Sequence, residues 1–146
     1  MKVSDLFEGF MGFSVNASDD AADLWMKIEE ALETKLKAKL SKYDKDLLVP
    51  AVEAKHYAEV VLPLLKKGLN RRIPYAATDM HGTLIVALIM REKMQKWIKH
   101  SPELRAFART VADRLDSDRA GRLSDAADFY LGAMKTNAAA LRKLAE

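Results

Sequence analysis

Apolar side chains return every three or four positions along almost the whole of this chain and hardly anywhere alternate, so they can be buried together only on helices. The clearest helix starts at Ser18, a good N-cap, followed by Asp19, Asp20 and Asp23 where the helix dipole favours anions. Its apolar row is Ala21, Leu24, Trp25, Ile28, Leu32, Leu36, Leu40 and Tyr43, and Lys35, Lys37, Lys39 and Lys42 suit its negative end. A second helix opens at Pro50 and runs through Ala54, Tyr57, Val61 and Leu65 to a C-capping Gly68. Pro63 inside it removes a backbone hydrogen bond and predicts a kink or a break into two pieces.

A third helix is expected from Thr78 or Asp79 to about Lys99, with the run LIVALIM making its first half apolar on every face, as a central helix requires. Ser101-Pro102-Glu103 is a strong start signal for a fourth, whose buried stripe is Leu104, Phe107, Ala108, Val111, Ala112 and Leu115. Ser124 caps a last helix with Ala127, Tyr130, Leu131, Met134, Ala138, Leu141 and Leu144 on its inner side. The expectation is an all-α fold, one domain over residues 1–146, with four to five antiparallel helices around one core.

At 146 residues such a core needs no covalent staple, and with no cysteine there is neither a disulfide framework nor a thiolate metal site. The longest apolar run, residues 84–90, is seven residues, against about 20 for a membrane span. Asp5 and Glu8 interrupt the place where an export signal would be apolar. A soluble, cytoplasmic chain that does not enter membranes is expected.

Residues 1–13 stand apart. Leu6, Phe7, Phe10, Met11 and Phe13 crowd three of the five phenylalanines into a stretch that Gly9 and Gly12 make a poor helix. A segment this short is marginal alone and must dock on something, either its own core or, with Phe7, Phe10 and Phe13 as anchors, a partner. Charge is sorted as well. Residues 1–33 hold eight acidic side chains against Lys2 and Lys27, whereas residues 34–100 hold fourteen basic against six acidic. Within the basic middle, Lys66, Lys67, Arg71 and Arg72 precede Ile73, Pro74 and Tyr75, a combination of cations and an aromatic that can grip phosphates and stack on an unpaired base. The same cluster can meet Asp19, Asp20, Asp23, Glu29 and Glu30 of another copy head to tail.

Motifs for chemistry are thin. Glu53 and His56 have the i, i+3 spacing of a carboxylate-bridged metal site, but no second such pair accompanies them, and no metal is expected. Asp79 and His81, two apart, point to different sides of a helix. Asp116, Asp118 and Gly121 match part of a calcium loop, yet Ala120 and Ala127 stand where oxygen donors are needed, so the stretch reads as a capped loop. Lys66-Lys67-Gly68 lacks the glycine spacing of a phosphate loop. No cofactor and no enzymatic activity are expected; were there one, His56 with Glu53 and Glu59 is where it would lie. The sequence reads as a helical subunit or adaptor acting through a protein partner or as a homo-oligomer, of a kind that suits a larger viral or mobile-element assembly. A small basic nucleic-acid-binding regulator is the alternative.

Overall fold

The spacing of the first apolar row explains an irregularity in the first helix. Leu24, Ile28, Leu32, Leu36 and Leu40 follow at intervals of four, which on a regular α-helix drift by about 40° per step and leave one face within a few turns. A wider turn corrects the drift. The computed structural model describes residues 19–76, 79–123 and 128–146, and there helix α1 runs as Asp19–Glu30, a π-helical stretch Ala31–Leu36, and Lys37–Leu40. Leu24, Ile28 and Leu36 are thereby all buried, and Leu32 and Leu40 pack on the same core. Phe7, Phe10 and Phe13, and the caps expected at Ser18 and Ser124, lie outside the described residues.

Among the described residues all regular structure is helical, in seven helices. After α1 come α2 (Pro50–Val60), α3 (Leu62–Arg71), α4 (Met80–Ile89), α5 (Glu92–Lys99), α6 (Pro102–Gly121) and α7 (Asp128–Leu144). The expected four to five is corrected by two breaks. Pro63 divides the second helix at Val61, as its missing N–H demands. The long third helix divides at Met90 and Arg91, where Arg91 turns extended, with φ −64° and ψ 139°. Gln95 there donates its side-chain N–H to the Met90 carbonyl at 2.9 Å, capping the end of α4, and the Arg91 guanidinium lies over the Trp25 ring, 5.4 Å from its centre. Neither device shows in an apolar run.

Three ends move. α3 continues past Gly68, which is a packing glycine: a Cβ there would run into the Leu24 side chain, so α1 and α3 cross closely at this point. α6 starts as expected, with the Ser101 hydroxyl accepting the Leu104 N–H at 3.2 Å, but it runs on to Gly121. The stretch from Asp116, expected as a capped loop, is therefore helical through Gly121. α4 is the central helix, with every residue from Leu84 to Ile89 buried. Full burial of each large aliphatic side chain contributes about 1.5–3 kcal/mol relative to exposure. One cluster of buried side chains draws on all seven helices.

α6 and α7 form an antiparallel hairpin, fixed by Arg142 to Asp113 at 2.8 Å and to Asp116 at 2.5 Å, and by the Arg109 guanidinium donating to the Ala145 carbonyl. Only the second half of α7 reaches the core, through Ala138 and Leu141. Its first half projects past it. Among the described residues no helix is long and apolar enough to cross a membrane.

Candidate interaction surface at one end of the bundle

The end of α3 and its connection to α4 carry the basic patch singled out in the sequence, and the two ends of that connection are tied together. Arg72 is 7% exposed, its backbone extended at the end of α3. Its Nε donates to Asp79 Oδ2 at 2.7 Å and its Nη2 donates to Asp118 Oδ2 on α6. Asp79 occupies the N-cap of α4, yet its carboxylate makes no capping bond because Arg72 takes it. Gly82 makes the room: a Cβ there would lie 2.9 Å from Asp79 Oδ2 and 3.0 Å from the guanidinium. Arg72 therefore leaves the exposed basic cluster in which the sequence placed it. It is a staple.

Asp118 is 1% exposed and faces Arg72, with the Arg114 Nε 3.8 Å from its other oxygen. Burial pushes its carboxyl above the ordinary carboxylate range; Arg72 and Arg114 pull it down, and the neighbouring Asp79 pushes it up again. Two acids thus share one fully buried guanidinium. His81, expected as a half-buried residue in the first turn of α4, is buried there.

The middle of the loop is fastened too. Tyr75 has φ 65°, a left-handed conformation that costs a non-glycine residue about 1–2 kcal/mol. Its ring lies against Gly121 at the end of α6, in the space that any Cβ at that position would fill. Fastened this way, the loop presents Ile73, 66% exposed, beside the partly exposed Tyr75 ring. Two residues beyond Gly121, Leu123 is 62% exposed. The antiparallel hairpin returns α7 to the same end, where Phe129 is 79% exposed and meets Tyr130 edge to face with ring centres 5.7 Å apart. A monomer's scattered exposed leucine needs no explanation, whereas a group of large apolar side chains at one end is a candidate contact surface.

Beside this end lie Lys66, Lys67 and Arg71, all exposed on α3. Lys67 and Arg71 act on Asp23 of α1, whose carboxyl is held below its usual range chiefly by its 2.8 Å bond to Lys27 and further by Arg71 and Lys67. The acidic and basic segments of the sequence are thus folded against each other in one chain.

His56 stands elsewhere, at the α1–α2 junction. Its Nε2 is 3.0 Å from the Tyr43 hydroxyl and its Nδ1 is 3.2 Å from Glu59 Oε2, an oxygen that also accepts from Lys39 at 2.8 Å. With Nδ1 protonated, the Tyr43 hydroxyl donates to Nε2, an order in which a carboxylate orients a base toward a hydroxyl. The bond from Lys39, and after it the one from His56, hold the Glu59 carboxyl below its usual range. Glu53 does not join them: its Oε2 accepts the Trp97 indole N–H at 2.8 Å. A cleft of about 410 Å³ borders Glu59 together with Lys55, His100 and Glu103, and Ser101 at its edge is engaged as the cap of α6. Among the described residues no three His, Asp or Glu side chains are placed to hold a metal ion.

Sequence reasoning found the loop and missed what builds the surface around it. Asp118 looked like part of an incomplete ion loop, Gly121 like a turn residue, and Phe129 was not singled out. A signal existed for Phe129: it falls outside the apolar row of its helix, beside Tyr130. No protein-family model, curated protein or solved structure matches this chain.

Proposed function

We propose that this chain is a non-enzymatic helical subunit that works by protein contact, through the apolar end formed by the α3–α4 loop, the end of α6 and the start of α7. The observation that carries this reading is the group Ile73, Tyr75, Leu123, Phe129 and Tyr130, exposed at one end of a bundle whose other large side chains are mostly buried. The loop's fastening adds to it. A left-handed Tyr75 and a buried Arg72 between two acids hold apolar residues outward in a defined shape, which lowers the ordering cost of binding. The basic flank selects for acidic side chains in the partner.

Peptides selected from a displayed random library against the full chain test this reading. Enriched sequences are expected to combine aromatic or aliphatic residues with Asp or Glu. Their binding is expected to be lost in the double variant Ile73→Ser/Leu123→Ser, whose exposed positions keep folding effects within about 0.5 kcal/mol. Enrichment that is indifferent to these substitutions would overturn it. The exposed Lys66, Lys67 and Arg71 support the second reading, a nucleic-acid-binding regulator. That one requires affinity for oligonucleotides that falls steeply with salt and flattens when the three are replaced by Ala.

A further inference from the structure

The apolar end has a chemically matched ligand within the same chain. Residues 1–18 contain Leu6, Phe7, Phe10, Met11 and Phe13 with Asp5 and Glu8 between and before them, and Lys2 is their one basic side chain. Apolar anchors with acidic neighbours are what an apolar surface flanked by Lys66, Lys67 and Arg71 would recognise. The place where this segment joins the bundle is fixed by described residues. α1 begins at Asp19; one turn on, Leu24 packs against Gly68 of α3, and Asp23 lies in the field of Lys67 and Arg71. Arg71 ends α3 and leads directly into the loop that carries Ile73 and Tyr75. The segment therefore enters α1 beside the surface it matches.

Reach agrees. Phe13 and Phe10 precede Asp19 by six and nine residues, which at about 3.3 Å per residue span at most about 20 and 30 Å. The exposed Leu47, by contrast, follows the far end of α1, a helix whose 22 residues, 19–40, make it about 33 Å long.

We propose that the segment 1–18 is a tethered ligand of this chain's own apolar end, docking there in cis through Phe7, Phe10 and Phe13, so that an outside partner must displace it. The inference rests on the protein-contact reading above, for it names that surface's resident occupant. A short tether gives an effective concentration on the order of millimolar, so modest intrinsic affinity suffices for occupancy. Occupancy also lowers the apparent affinity for anything else in proportion to the free fraction.

Two measurements on the full chain test it. The protein has no cysteine, so the pair Phe10→Cys/Ile73→Cys is free of competing thiols. Under mild oxidation it is expected to close an intrachain disulfide at least about tenfold faster than Phe10→Cys/Leu47→Cys. In the second, a labelled synthetic peptide of residues 1–18 is titrated against the unaltered chain and against Phe7→Ser/Phe10→Ser/Phe13→Ser. The variant is expected to bind it at least about tenfold more tightly. Equal closure of the two cysteine pairs overturns the proposal, and so does equal binding of the peptide to both proteins or binding to neither. Closure between two molecules overturns it in favour of a second copy as the occupant. If the cis segment fails while library peptides still bind at Ile73 and Leu123, the contact reading stands without it. If neither binds, both fall.

Discussion

Arg72 shows how little a residue's type reveals about its use. In sequence it is one of four cations in a row of seven residues; in the fold it is the partner of two buried acids that have no other fully buried cation. A guanidinium suits this place because its planar fork reaches both Asp79 and Asp118 at once, which a lysine ammonium cannot do in the same geometry. Removing it leaves uncompensated charge in the interior, so Arg72→Ala is expected to lose about 3–5 kcal/mol of unfolding free energy in urea titrations at neutral pH. The pH dependence has a definite sign. Asp118 has its carboxyl raised by burial, so its contribution to stability is fully present below the unfolded value of about 3.9 and is lost as pH rises through the higher folded value. Without Arg72 that folded value rises further. The deficit of Arg72→Ala relative to the unaltered chain is therefore expected to shrink as the pH is lowered into the acid range; a deficit independent of pH would mean that lost packing, not stranded charge, is the cause. Glu59 runs the opposite way, its lowered carboxyl giving stability that is present above its unfolded value and lost on acidification.

At the scale of elements, what could be read from the chain was whatever local chemistry decides. The break near Pro63, the Ser101 cap with Pro102 and the buried faces of α1 and α6 follow from backbone valence, capping and period, each contained within a few residues. The break at Met90 and Arg91 was not legible because no proline or glycine marks it, and of the contacts that accompany it the Gln95 bond to the Met90 carbonyl has no sequence signature while Trp25 under Arg91 belongs to the tertiary arrangement. The surface was half legible for the same reason: the cluster at 66–75 is local, whereas the approach of Gly121 to Tyr75 joins residues far apart in sequence. That approach can be measured. Gly121→Ala alone should destabilise, because its Cβ meets the Tyr75 ring and overpacking costs about 1–3 kcal/mol, more than the gain of about 1 kcal/mol in helix propensity. In a Tyr75→Gly background, where the ring is absent and the positive φ carries no penalty, the same change should stabilise. A double-mutant cycle is expected to give a coupling of at least about 1 kcal/mol, and additive effects would show that the contact does not hold the loop.

For the molecule as a whole, part of the polarity of the sequence is folded back on itself. The acidic start of α1 lies against the basic end of α3, the basic end of α1 reaches Glu59 of α2 through Lys39, and Arg72 is spent between Asp79 and Asp118. Lys67 and Arg71 stay exposed all the same, so the head-to-tail pairing that the charge order suggests would compete with these contacts inside the chain. Reversing these two charges separates the cases. In Lys67→Glu/Arg71→Glu, an intrachain role puts like charges around Asp23, so the thermal midpoint should fall by a small amount at low salt, and the fall should fade at high salt as screening sets in. The mass in solution should stay as it was. Adding Asp23→Lys and Lys27→Glu to that variant should recover the midpoint, since the local field is then inverted as a whole. The recovered protein should still fail to bind the acidic, aromatic peptide of residues 1–18, because α3 now repels it whatever stands at position 23. If instead the double variant keeps its midpoint and loses mass, these residues join copies of the chain, and the acidic and basic segments act between molecules after all.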